Sequence, residues 1–173
     1  MIKSVKTEGI ILRKRSLPNQ DLIIDFFSKE KGKLIVFAKG IKKITSRRLP
    51  HTQVGNLIKV VLDQHDNRLY LQGSDLISAF SKIKDTERKL PFFYFSIFLI
   101  DRLLPEHQKE EIIYQETLKF FIKLSREKEC DISYLTKWTN KIMRLLGYIH
   151  EDKPYEELRS FIENIIEEKL PVV

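Results

Sequence analysis

Apolar positions along this chain keep two different periods, and the change falls near residue 80. Before it, apolar residues come in short runs bounded by turn formers. Gly9-Ile10-Ile11-Leu12 is the first, Asp21 to Phe27 the second, and Leu34-Ile35-Val36-Phe37-Ala38 the third. In the fourth, Asn56 to Leu62, Ile58, Val60 and Leu62 alternate against Leu57, Lys59 and Val61. The fifth begins at Arg68, with Leu69 and Leu71 opposite Arg68, Tyr70 and Gln72. A period of two, rich in Val, Ile and Phe, predicts strands. Lys29-Glu30-Lys31-Gly32-Lys33 predicts a hairpin loop between the second and third runs, and Asp66-Asn67 a turn between the fourth and fifth. Five short strands in about 80 residues predict a small closed or partly open barrel.

Beyond residue 80 the pattern is helical. Leu90 to Leu104 is apolar nearly all round, which predicts a central helix stopped by Pro105. Ile113, Thr117, Phe120, Phe121 and Leu124 share one face of a second helix. Leu135, Trp138, Ile142, Leu145 and Leu146 share a face of a third, which Gly147 can end. Pro154 is placed to open a fourth, with Leu158, Phe161, Ile162 and Ile165 on one side and Pro171 closing it. No helix buries such a stripe alone, so four of them should pack as a bundle. The expected class is α+β: a barrel over residues 1–80, a helical domain over 81–173, and a short junction at Ser81 to Lys89.

Charge sharpens this division. Residues 1–80 hold 15 Lys+Arg and 7 Asp+Glu, a balance of +8, whereas residues 81–173 hold 16 and 17, a balance of −1. The whole basic excess therefore lies in the first half, the distribution expected of a nucleic-acid-binding module. Other chemistry finds little support. One cysteine, Cys130, excludes an internal disulfide and any zinc site built on several thiolates, and it fits a reducing cytoplasm. Its acidic neighbours Glu129 and Asp131 should raise its thiol pKa. His51, His65, His107 and His150 are dispersed, no glycine-rich phosphate loop occurs, and Glu110/Glu111 and Glu167/Glu168 fall on polar helix faces. No enzyme, metal, cofactor or small-molecule substrate is expected. The most apolar stretch, Leu90 to Ile100, is far short of the about 20 residues of a membrane span, and the polar first eight residues do not resemble a secretory leader.

The most informative stretch is Lys29 to Arg48, with eight basic residues and one acid. A buried strand runs straight into a loop dense in Lys and Arg. Such an anchor holds charges at fixed places, as tracking a phosphate backbone requires. Gly40 frees the backbone where the strand must turn, and Thr45 and Ser46 can add neutral hydrogen bonds to phosphate. Glu8-Gly9-Ile10-Ile11-Leu12-Arg13, Asp21 to Ser28, Gly32-Lys33-Leu34 and Ala38-Lys39-Gly40 closely resemble the N-terminal domain of the bacterial recombination mediator family RecO. Leu99 to Leu104 and Leu145-Leu146-Gly147-Tyr148 resemble that family's helical domain more loosely.

The resemblance implies an OB-fold barrel joined to a helical domain, without catalytic residues. It implies binding of single- and double-stranded DNA, strand annealing, and help in loading recombinase on strands coated by single-strand-binding protein (SSB). It also implies a RecR-like partner, the SSB C-terminal tail, and a cytoplasmic, nucleoid-associated setting. Lys39 matches the family's Ala-Lys-Gly segment, Lys42 and Lys43 its following basic pair, and Arg47 its Ser-Arg. Arg48, Lys31, Lys33 and Arg13 are further candidate DNA contacts by charge, and Tyr70 is a candidate for base stacking. Arg102, Lys137, Lys141 and Arg144 are candidates to flank a groove for the acidic-hydrophobic tail. The chain reads as a short member of the family. Many members carry a cysteine zinc site after the Leu-Gly-Tyr segment, but here Ile149-His150-Glu151-Asp152 follows, without cysteine. Two other readings compete: an OB-barrel RNA-binding protein, and an interaction adaptor working through its helical half.

Overall fold

The computed structural model of the protein describes residues 3–43 and 46–173. Its first half forms β1 (Lys3–Ser16), β2 (Leu22–Ser28), β3 (Gly32–Ala38), β4 (Leu57–His65) and β5 (Arg68–Ser78). They close into a barrel in the order β1-β2-β3-β5-β4. Every neighbouring pair is antiparallel except β3 and β5, which run parallel through Val36–Leu69 and Phe37–Tyr70 alone. Alternation decides what faces inward. Leu34, Val36 and Ala38 of β3, Ile58, Val60 and Leu62 of β4, and Leu71 of β5 join Ile11, Leu22, Ile24 and Phe26 in one core. Each such buried side chain contributes roughly 1.5–3 kcal/mol of transfer free energy. Asp66 and Asn67 both take positive φ, 47° and 59°, so the β4–β5 hairpin turns in two residues.

Two strands are longer than their apolar runs. β1 spans 14 residues because it serves two neighbours: Lys3–Ile10 pairs with β4, and Gly9–Ser16 pairs with β2. A register shift between Ile11 and Arg13 lets it bend from one partner to the other. Its polar ends carry no alternation because they are held by ladder bonds. β5 likewise runs on to Ser78 against β4.

The chain divides into two compact units. The barrel unit comprises the residues up to Ala79 together with Leu104–Glu111. That returning piece lies against the β2–β3 hairpin. Glu106 bridges Lys33, and the His107 amide donates to the Lys33 carbonyl at 2.9 Å. Gly32, at φ +71°, passes so close beneath Gln108 that a Cβ there would lie 1.8 Å from the Gln108 carbonyl oxygen.

The other unit, Phe80–Leu103 with Ile112–Val173, is helical. It contains α1 (Ser81–Lys84), α2 (Leu90–Leu103), α3 (Glu111–Arg126, whose first residue belongs to the barrel unit), α4 (Ile132–Leu145) and α5 (Tyr155–Ile166). α1 is an additional single turn inside the expected junction. α2 is buried along most of its length, and Phe93 packs against Phe80 and Phe121 at 6.0 and 4.6 Å between ring centroids. The Asp131 side chain caps α4 by accepting from the Tyr134 amide, and Gly147, at φ +79°, follows its end. α5 does not reach Pro171. It stops at Ile166, where Glu167 turns left-handed at φ 53°. The tail then folds back: Arg159 donates to the carbonyls of Leu170 and Pro171 at 2.6 and 3.1 Å. No helix of the described residues is long and apolar enough to cross a membrane.

Candidate nucleic-acid interface

The loop after β3 is basic in sequence and anchored in structure. Gly40 turns at φ +60°, and its amide donates to Asp21 Oδ1 at 2.6 Å. The Lys42 amide donates to the Gln20 carbonyl at 3.1 Å, which ties this loop to the β1–β2 connection. Ile41 between them is fully buried in the barrel core. Lys39, Lys43, Arg47 and Arg48 thus line one surface depression of about 380 Å³ together with Gly40 and Ser46. Lys39, Lys43 and Arg47 are exposed. Lys42 is half-buried and outside that lining. Thr45 lies outside the described residues.

Arg48 differs from its neighbours. Its guanidinium donates to the Leu71 carbonyl at 2.7 Å and to the Lys39 carbonyl at 3.2 Å. It joins the basic loop to β5, so much of its hydrogen-bonding capacity is spent on the barrel itself. Arg13 is also engaged. Asp25, whose side chain is 2% exposed, accepts from Arg13 Nε at 2.7 Å and from Arg15 at 3.0 Å. One carboxylate therefore fixes two guanidinium groups on β1 and leaves a net positive charge. Lys31 and Lys33 belong to the other end of β3, and a seven-residue strand is about 20 Å long. They do not line the depression.

Beside the loop, the outward side chains of β3 and β5 form an aromatic patch. Phe37 and Tyr70 stand opposite each other across the parallel pair, 5.8 Å between centroids and tilted by 40°. His65 meets Tyr70 edge-on at 5.9 Å. Lys39 Nζ lies 4.7 Å from the Tyr70 ring centre, and the Arg68 guanidinium carbon 5.4 Å from that of Phe37. Tyr70 was legible from alternation along β5. Phe37, His65 and Arg68 were not singled out, because only the β3–β5 pairing gathers them. Outward alternation along β3 was the available signal for Phe37.

The helical unit holds a separate cleft of about 830 Å³. Phe120 stacks between Tyr134 and Trp138, at 5.3 and 4.8 Å, and Lys123 Nζ sits 4.4 Å from the Tyr134 ring centre. Lys137 and Lys141 line this cleft; Arg102 and Arg144 do not. Arg102 is bound to Asp101 and Glu168 at 2.6 Å each, and Arg144 is paired with Asp152. Arg88, Lys89, Lys119, Lys123 and Lys128 add to the basic lining and were missed, being scattered over the turn before α2, α3 itself and the loop after it. Among the described residues, the buried indole Nε1 of Trp138 meets no acceptor. Burial pushes the Tyr134 phenol up to about 12. The Cys130 thiol is raised chiefly by burial; Glu127 and Asp131 add to this, while Lys89 opposes it. The expected direction is right, but desolvation rather than the flanking acids is the main cause, and Glu129 plays no part. Among the described residues, no group of three or more His, Cys, Asp or Glu side chains is gathered as a metal ion would need.

A closed five-stranded barrel with this strand order, its basic loop following β3 and tied to the β1–β2 connection and to β5, is an OB fold. Residues 1–80 match the family described as Recombination protein O N terminal. The "DNA repair protein RecO" of Thermoanaerobacter sp. (strain X514) is 28% identical over 149 residues, 86% of this chain and 60% of that protein. The protein of the same name from Caldanaerobacter subterraneus subsp. tengcongensis is 28% identical over 153 residues, with the same two shares. That of Acetivibrio thermocellus is 24% identical over 144 residues, 83% of this chain and 57% of the relative. The chain is thus similar to RecO proteins over most of its length, and its first 80 residues match that family's N-terminal domain. It spans about three fifths of the length of these curated relatives.

Proposed function

We propose that this protein is a non-enzymatic DNA-binding mediator of DNA repair and recombination, which holds strands by their phosphates on the barrel and promotes annealing and recombinase loading. The observation that carries this reading is the anchored cluster of Lys39, Lys43 and Arg47 on an OB barrel. The relatives' printed name, DNA repair protein, supports DNA over RNA as the ligand. Backbone contacts carry no sequence information, so binding should be indifferent to sequence. They leave base edges free, which annealing requires. With Arg48 occupied by carbonyls, four loop cations remain: Lys39, Lys42, Lys43 and Arg47. Four neutralised phosphates give a slope of log affinity against log salt of about −2.8 on a single strand. Replacing Lys39, Lys43 and Arg47 by Gln should flatten that slope by about 2 and remove most binding, with thermal unfolding little changed. A triple variant that binds as tightly as the parent at each salt concentration would refute the site.

A second element concerns partners. The helical cleft offers lysines, an aromatic stack and an indole N–H in need of an acceptor, a lining suited to a peptide that is acidic and aromatic. The SSB tail is the partner we assign to it, and a RecR-like protein remains a partner of the whole. Replacing Lys123 and Lys137 by Glu should abolish saturable binding of a labelled tail peptide.

A further inference from the structure

Phe37 and Tyr70 lie on the barrel's outer side, since Val36 and Leu71 beside them in sequence point into the core. Large aromatic side chains on an outer barrel surface are placed at a cost in hydration unless something covers them. Here the cover is two cations, Lys39 on Tyr70 and Arg68 on Phe37. Exposed cation–ring contacts are weak and readily exchanged. An unpaired nucleobase stacks on such a ring more strongly than an exposed lysine does. We propose that Phe37 and Tyr70 form a base-stacking platform that makes this face selective for unpaired DNA strands, with Lys39 and Arg68 passing from the rings to phosphates as bases arrive. The inference rests on the DNA-binding reading above and adds to it which form of DNA takes which surface.

The chemistry separates the two forms. In a duplex the base faces are already stacked on one another, so only phosphates reach the protein, and the Lys39–Arg47 loop can hold them. In a single strand the faces are open. Two rings 5.8 Å apart offer neighbouring bases adjacent stacking surfaces. His65, edge-on to Tyr70, extends the patch toward the β4–β5 turn. Stacking takes the face of a base and leaves its pairing edge turned outward, so a strand held here is still able to meet its complement.

The test is a double variant, Phe37→Leu with Tyr70→Leu, which keeps apolar bulk over the short β3–β5 pairing. Affinity is measured for a mixed-sequence oligodeoxynucleotide and for its duplex, with a 2-aminopurine in the single strand reporting stacking. Single-strand affinity should fall about tenfold or more while duplex affinity stays within about twofold. The salt slope should be unchanged, and the 2-aminopurine quenching seen with the parent should be lost. Tyr70→Phe, which retains the ring, should behave as the parent. Equal loss for both forms, or quenching that survives the double variant, overturns the platform. A parent that binds neither form overturns the DNA-binding reading itself. A parent whose binding depends on the loop but not on the rings removes only the platform.

Discussion

Arg48 sits in the densest basic stretch of the chain, yet its geometry makes it a clamp. Three partners compete for one guanidinium: the carbonyls of Leu71, Lys39 and, more weakly at 3.5 Å, Gln72. Charged donors to carbonyls are worth more than neutral ones. Arg48→Met, which keeps the aliphatic stem, should lower unfolding free energy by about 1–2 kcal/mol. It should weaken DNA binding by loosening the loop while leaving the salt slope nearly intact. Denaturant unfolding beside a salt titration checks both, and a slope flattened by a full charge would return Arg48 to the phosphate contacts. Charge was legible in the sequence here; its use was not. Lys39, Lys43 and Arg47 look the same as Arg48 on paper, and only the position of β5 tells them apart. Arg13 teaches the same lesson, since its partner Asp25 is 12 residues away on another strand.

At the level of elements, the two periods located all five strands and the four long helices. What they missed has physical causes. The ends of β1 are polar because ladder bonds, not burial, hold them, so no alternation marks them. α5 ends at a left-handed Glu167, a conformation that composition does not announce. The aromatic patch needed the parallel β3–β5 pairing, which is not local in sequence. Between helices, Glu116 of α3 accepts from Lys119 at 2.9 Å and from Lys141 of α4 at 2.6 Å. These bonds hold its carboxyl below its ordinary value of 4.5. A depressed carboxyl stabilises the fold above its unfolded pKa, and that contribution fades as pH falls through the lower folded pKa. Glu116→Gln should therefore cost up to about 1 kcal/mol at neutral pH. The difference from the parent should vanish in acid, well below pH 4.5. Thermal melts across that range decide it, and a gap that widens in acid would contradict the assigned pairing.

Across the whole molecule, the chain passes from one unit to the other three times, after Ala79, Leu103 and Glu111. The barrel unit is therefore discontinuous, and the division at residue 80 separates it from its own segment Leu104–Glu111. Gly32 is the place to probe this. An added Cβ would meet the Gln108 carbonyl, and φ +71° disfavours any side chain. Gly32→Ala should destabilise the protein by more than about 1 kcal/mol, read by denaturant unfolding of the full chain. An unchanged midpoint would mean that the segment has room to shift. The barrel's closure carries a kinetic consequence as well. β1, β2 and β3 follow one another as a meander, and β4 and β5 meet through a two-residue turn, so both pieces can form from nearby chain. Joining them needs β1 to find β4 and β3 to find β5, across loops whose closure costs entropy before contacts repay it. The β3–β5 seam is the shorter of the two, a single pair of register positions, Val36–Leu69 and Phe37–Tyr70. It is the natural last step of folding and the first to part, so amide exchange along β3 and the start of β5 should report the opening of the ring before the rest of the barrel yields.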